Sequence, residues 1–199
     1  MLLRINPSGL NPLVTLLLGL GVMPGATCLA NTDSTQAVIQ HFDRKTIGGG
    51  TQCSYVSVEN PNHIAVANNL GLLLFDGSDW TLNELPNGAQ AKSVAGFENL
   101  LYCGGQGFIG ILHLNSTNDE PQWTDCTPSI QAKSGTFDDV WRMFVPPSNF
   151  GRKESASRAI FSCSEFAGSL TPQGEYRQWL KGPIRNAVTW NNGVAFQTD

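Results

Sequence analysis

Residues 54–58 read SYVSV, residues 63–67 read HIAVA and residues 71–77 read GLLLFDG, with Trp80 a few positions later. In each segment apolar residues recur with a short period, which is typical of β-strands. Turn-forming residues separate the segments, and the third one begins with glycine. The stretch therefore predicts consecutive antiparallel strands in one sheet, closed by a tryptophan. This tryptophan, Trp80 here and Trp123 and Trp179 further along, is expected to lie on an outer strand and to pack between sheets.

The same pattern recurs along the chain. Residues 92–95 read KSVA, 100–103 read LLYC and 107–112 read GFIGIL, with Trp123 following. Further units begin at 139–144 (DVWRMF) and at 184–188 (IRNAV). Four strands repeated every 40–50 residues or so indicate a β-propeller blade. We predict an all-β fold, a partial β-propeller of about three to four blades, each an antiparallel sheet of up to four strands.

The repeats divide the chain into an incomplete propeller at residues 52–199, with blades at about 52–88, 89–135, 136–182 and, in part, 183–199. A Pro-, Ser- and Gly-rich insertion at 146–157 lengthens the third blade. A closed ring needs about four to eight blades, so we expect this chain to be the N-terminal part of a longer protein. On the first and last blades we expect these side chains to lack a covering neighbour: Val58, Leu73, Val188 and Phe196.

The N-terminus is typical of a secretory signal peptide over residues 1–30. Arg4 precedes an apolar stretch at 13–22, and small residues lead to Ala30. That stretch is shorter than the roughly 20 residues of a membrane-spanning helix, although an uncleaved anchor is the alternative. A polar lead-in at 31–51 contains a possible edge strand at 37–42. We expect a periplasmic or extracellular protein.

Composition excludes several classes of function. The formal net charge is -4, whereas nucleic-acid binding requires a basic face. Outside the predicted leader the cysteines are Cys53, Cys103, Cys126 and Cys163. They show no CxxC pair or metal-ligand spacing, so we expect no metal site and no cofactor. Cys103 and Cys163 fall in second strands, where a buried free thiol is the favoured interpretation and a disulfide the alternative.

Two longer runs carry a resemblance to a known family. Residues 68–80 read NNLGLLLFDGSDW, and residues 102–110 read YCGGQGFIG. Together with 39–43 (IQHFD) and 139–144, they resemble the repeats of two-component regulator propellers. The resemblance implies a periplasmic input domain of a histidine kinase, hybrid two-component protein or diguanylate cyclase. It implies no catalytic residues in the propeller, and it places kinase or cyclase activity in domains outside this chain.

The candidate ligand-binding residues are Trp141, Arg142 and Arg185. The two arginines lie 43 residues apart, at roughly equivalent places in the first predicted strands of their blades, and first strands line the central channel. Two guanidinium groups there suit an acidic ligand such as a sugar acid. The plainer interpretation makes them polar residues beside the channel, with Trp141 packed between blades.

The favoured function is an exported sensory module that binds a carbohydrate or another small extracellular ligand. Its further partners would be the remaining blades and an output domain. A propeller enzyme (a glycosidase, lyase or quinoprotein) and a structural interaction propeller are the alternatives, because fold alone does not separate them. No paired carboxylates occupy equivalent first-strand positions, which favours the binding module.

Overall fold

A computed structural model describes residues 41–58, 63–114, 121–146, 158–190 and 193–198. These residues belong to one compact unit spanning residues 40–199. The predicted signal peptide, most of the possible edge strand at 37–42 and all but the first residue of the insertion at 146–157 lie outside the described residues.

In these described ranges fourteen strands form three four-stranded antiparallel sheets and one two-stranded sheet. In each sheet the strands pair in chain order, so that every sheet is a simple meander. Blade 1 contains β1 (Cys53–Ser57), β2 (Ile64–Asn68), β3 (Gly71–Phe75) and β4 (Trp80–Asn83). Blade 2 contains β5 (Ala91–Phe97), β6 (Leu100–Gly105), β7 (Phe108–His113) and β8 (Gln122–Asp125). Blade 3 contains β9 (Arg142–Phe144), β10 (Ala159–Ser162), β11 (Phe166–Leu170) and β12 (Tyr176–Lys181). Blade 4 contains β13 (Ile184–Trp190) and β14 (Gly193–Thr198).

Each later blade packs through its first strand onto the preceding blade. β5 contacts both β1 and β9, and β13 contacts β10. The Ser57 hydroxyl accepts a hydrogen bond from the Gly96 amide at 3.1 Å, which ties β1 to β5. One apolar cluster joins blades 1 and 2, and another joins blades 2 and 3. This arrangement confirms the predicted fold class, an all-β partial propeller.

The middle strands of blades 1 and 2 are buried on both faces. Residues 71–74 of β3 and 108–112 of β7 are all buried. The glycine-rich run at 104–110 forms the hairpin that its apolar flanks predict, since β6 and β7 pair up to Gly105 and Phe108. Gly107 in that turn has a φ of 60°, which glycine adopts without steric cost.

The described part of the chain also contains two helices that were not predicted. α1 (Arg44–Ile47) lies in the lead-in and is capped by the Asp43 carboxylate, which accepts from the Thr46 amide. α2 (Thr127–Ser134) connects blades 2 and 3 and has Pro128 in its first turn, where proline is well tolerated. Ile130 buries this helix against the core between those blades.

The expectation for the tryptophans holds in part. Trp80, Trp123 and Trp179 all lie on fourth strands. Trp80 stacks on Phe75, and Trp123 contacts Phe108 edge-on at 5.5 Å between ring centroids. Trp179 is 42% exposed, and packing between sheets was wrong for it. It falls where the β11–β12 register shifts, so that Gln178 and Leu180 are paired and Trp179 is not.

One of the side chains expected to be uncovered is in fact buried. Leu73 is 1% exposed, because the lead-in glycine Gly49 lies close against it. Val58 and Val188 are 65% and 48% exposed, as expected, and Phe196 is half-buried. Of the four described cysteines, all free, Cys103, Cys126 and Cys163 are buried and Cys53 is exposed.

Candidate functional site

Trp141, Arg142 and Arg185 line one cavity of about 290 Å³. It lies where β9 and β13 begin, at one end of the first strands of blades 3 and 4. The other described lining residues are Ser162, Cys163, Ile184 and Asn186. The structure thus brings the three candidate residues together, and their role in binding stays a prediction.

A recurring irregularity shapes this end of the first strands. The pairing shifts between Cys53 and Tyr55 in β1, between Ala91 and Ser93 in β5, and between Ile184 and Asn186 in β13. The residues skipped by the pairing are Ser54, Lys92 and Arg185. A β-bulge of this kind leaves one residue unpaired and redirects its side chain.

Trp141 takes the corresponding place in blade 3. Gly105 and Cys163 close equivalent hairpins, onto Phe108 and Phe166. One residue earlier, Gly104 pairs with Ser93 and Ser162 pairs with Arg142. Arg142 therefore corresponds to Ser93, and Trp141 corresponds to Lys92. We call Ser54, Lys92, Trp141 and Arg185 the inner row.

This register corrects the expected equivalence of the two arginines. Arg185 belongs to the inner row, whereas Arg142 lies one position further along its strand, in line with Asn186. Because consecutive strand residues point to opposite faces unless a bulge intervenes, sequence distance alone misaligned them. Both guanidinium-bearing residues nevertheless line the same cavity.

Buried hydrogen bonds fix the strands around the cavity. The Ser93 hydroxyl donates to the Val140 carbonyl oxygen at 2.7 Å, and the Val140 amide donates to the Gly105 oxygen at 3.2 Å. On the other side, the Ile184 amide donates to the Ser164 carbonyl oxygen at 2.9 Å. The residues before Trp141 and Arg185 are thus anchored to neighbouring backbone, which holds the inner row in place.

Trp141 is 48% exposed. The interpretation that packed it between blades is therefore wrong. The Lys92 ammonium lies 5.0 Å from the centroid of the Trp141 ring, within the range of a cation–π interaction. Lys92 also donates to the Gln90 side-chain oxygen at 3.1 Å.

The site carries positive charge in a protein that is negative overall. Among the described residues, the Arg142 guanidinium donates only to the Trp141 carbonyl oxygen, at 3.3 Å. No carboxylate of the described chain therefore neutralises Arg142. The formal net charge of the whole chain is -4, so this cationic end of the first strands is a local feature.

Cys163 adds no negative charge to the cavity. Burial raises the pKa of its thiol to about 11, and its Sγ donates to the Phe166 oxygen at 3.3 Å. The thiol is neutral near pH 7 and is a poor nucleophile, since the thiolate is the reactive form. The described part of the lining contains no Asp, Glu or His.

Within the described ranges, no group of three or more His, Cys, Asp or Glu side chains is placed to hold a metal ion. In the same ranges no helix has the length and apolar character needed to span a bilayer.

Sequence reasoning missed Lys92 altogether. The sequence does indicate it by position: Lys92 lies two residues before Val94 at the start of a first strand, just as Arg185 lies two residues before Ala187. Only the hydrogen-bond register shows that Trp141 shares this place.

Searches of family models and of curated proteins found no match to this chain. Among solved structures, the chain is similar to the extracellular domain of BT4673 from B. thetaiotaomicron, described in one structure as a one-component system and in another as a hybrid two-component system. For each structure the sequence identity is 13% and the TM-score is 0.49. Each similarity covers 75% of this chain and 20% of the neighbour, so the chain spans about one fifth of the neighbours' length.

Proposed function

We propose that this chain is an exported sensory propeller, the N-terminal part of a signal-transduction protein, which binds a small acidic extracellular ligand. The ligand would occupy the cavity at the start of β9 and β13. Trp141 would supply an aromatic surface, and Arg142 and Arg185 would supply charged donors. The protein would be periplasmic or extracellular, and any kinase or cyclase activity would lie in domains outside this chain.

The observation that carries the proposal is the chemistry of the cavity lining. Two guanidinium groups and a half-exposed indole converge on a space of about 290 Å³, close to the lower limit of small-molecule sites. Guanidinium groups bind carboxylates with paired, directional hydrogen bonds. A monosaccharide acid therefore suits the site in both size and charge.

The same lining favours binding over catalysis. Glycoside hydrolysis by the usual route needs two carboxyl groups flanking the bond, and the described lining offers none. A protonated Cys163 does not serve as a nucleophile at neutral pH. The resemblance of residues 68–80 and 102–110 to regulator propellers adds a reason to place the chain in a sensor.

The test is calorimetric titration of the 199-residue chain with galacturonate, and with galactose as the neutral analogue. We expect binding of galacturonate only, weakened about tenfold or more in Arg142→Met and in Arg185→Met, since a hydrogen bond to a charged group is worth about 1.5–3 kcal/mol. Arg177→Met, an exposed arginine of the outer strand β12, is the matched control and should bind normally. Equal binding of galactose, or equal loss in Arg177→Met, would contradict the assignment.

Export is tested separately. The mature chain should begin near Asn31, which N-terminal mass spectrometry of the periplasmic or secreted protein would detect. Recovery of soluble cytosolic protein with residues 1–30 intact would refute this part of the proposal.

A further inference from the structure

We propose that Lys92 is a third cationic group of the same site and that it selects a ligand with two anionic groups, such as a diuronide, over one with a single carboxylate. This inference rests on the proposed function and names the class of ligand more closely. It draws on the register of the inner row and on the contact between Lys92 and Trp141.

The inner row places Lys92 at the same end of the first strands as the cavity. Lys92, Trp141 and Arg185 take equivalent positions on β5, just before β9 and on β13. β5 contacts β9 directly, and the buried bond from Ser93 to Val140 joins them one residue away from Lys92 and Trp141. With Arg142, which follows Trp141 and lines the cavity, three cationic side chains from three successive blades lie along one edge of the propeller.

Trp141 connects Lys92 to the cavity. The indole lines the cavity, and the Lys92 ammonium lies 5.0 Å from the centroid of that ring. Lys92 itself is not part of the lining, so a single carboxylate between Arg142 and Arg185 does not need it. A ligand that continues past Trp141 would carry its second anionic group towards Lys92.

The present partners of Lys92 are weak enough to be exchanged. The side chain is half-buried, donates to the neutral Gln90 amide oxygen at 3.1 Å and lies over an aromatic ring. A cation–π contact contributes about 0.5–2 kcal/mol, and a hydrogen bond to a carboxylate is about twice as strong as one between neutral groups. A second carboxylate would therefore compete well for the ammonium.

The test compares galacturonate with digalacturonate on the wild-type chain, Lys92→Met and Lys92→Arg. We expect the wild type to bind digalacturonate more tightly than galacturonate. In Lys92→Met the affinity for digalacturonate should fall about tenfold, as for loss of one charge-assisted hydrogen bond, while galacturonate affinity changes by less than about twofold. Lys92→Arg, which keeps the charge, should retain the preference, and the exposed strand lysine variant Lys181→Met is the matched control.

The outcomes separate the two proposals. If wild type binds galacturonate but digalacturonate no better, or if Lys92→Met weakens both ligands equally, the role of Lys92 is refuted and the proposed function stands. If the wild type binds neither ligand, the proposed function fails and this inference fails with it. Loss of the preference in Lys181→Met would show a general charge effect and would also refute the inference.

Discussion

Gly104 gives the sharpest test of how blades 2 and 3 meet beside the cavity. A Cβ atom at this position would lie 2.5 Å from Val140 Cγ1 and 2.7 Å from the Ser93 Oγ that bonds to the Val140 carbonyl. Gly104→Ala should therefore destabilise the protein by overpacking, typically by about 1–3 kcal/mol. For a chain of this length each kcal/mol lowers the melting temperature by roughly 2–4 °C.

A double-mutant cycle shows whether Val140 is the cause. Val140 is 0% exposed, so Val140→Ala alone should cost about 2 kcal/mol from two lost carbon groups and the space they leave. The Gly104→Ala/Val140→Ala variant removes the close contact with Cγ1 but keeps the Cβ of residue 140, which would also lie 2.7 Å from the new methyl group. The overpacking is therefore relieved in part, and the total cost should be more than about 0.5 kcal/mol below the sum of the single costs. Urea unfolding followed by tryptophan fluorescence measures all three. Costs that add within about 0.5 kcal/mol would refute the packing of β6 against the start of β9.

Three further predictions concern single residues. Asn68 is 0% exposed, and its side chain accepts hydrogen bonds from the amides of Gly50 and Leu70 and donates to the carbonyl oxygens of Gly50 and Gln52. At about 1 kcal/mol for each bond, Asn68→Ala should lower the free energy of unfolding in urea by about 2–4 kcal/mol. A loss below about 1 kcal/mol would contradict this network. The pKa of Asp76 is lowered to about 2 by hydrogen bonds from the Asp79 and Ser78 amides and the Ser78 hydroxyl. Because a lowered carboxyl pKa stabilises the fold above the unfolded value of about 3.9, the wild type should exceed Asp76→Asn in free energy of unfolding most fully at pH 6, and this difference should shrink as the pH falls from about 4 to 2. A difference that stays constant over this range would contradict the lowered pKa. In the folded protein iodoacetamide should modify Cys53 and spare the three buried cysteines, Cys103, Cys126 and Cys163, because burial raises the pKa values of their thiols to about 12, 11 and 11. Peptide mass spectrometry before and after denaturation measures the labelling of each thiol. Equal labelling of the four would contradict the prediction.

The sequence predicted the strands well because the physics that forms them is local and repeated. Apolar runs such as 71–75 and 108–112 form strands buried on both faces, and Gly107 supplies a turn that few other residues accept. Helix α2 was missed because only Thr127 and Ile130 of its eight residues are buried, which leaves no helical apolar stripe to detect. The sequence also did not show which face of the sheet each side chain of a first strand points to. One bulged residue shifts every later side chain to the opposite face, so Lys92 went unnoticed and Arg142 was aligned with Arg185.

The same bulges explain how a repeated fold can carry a site that does not repeat. In β5 the bulge leaves the buried Ala91 and Ser93 paired on either side of Lys92. The chemistry of the inner row differs from blade to blade: Ser54, Lys92, Trp141 and Arg185. Exposed surface substitutions usually change stability by less than about 0.5 kcal/mol, so the half-exposed Trp141 can vary without loss of the fold. Val140, buried beside Trp141, cannot. The proposed site therefore uses exposed positions such as Trp141 and Arg185, while the buried residues before them, Val140 and Ile184, hold the strands in place.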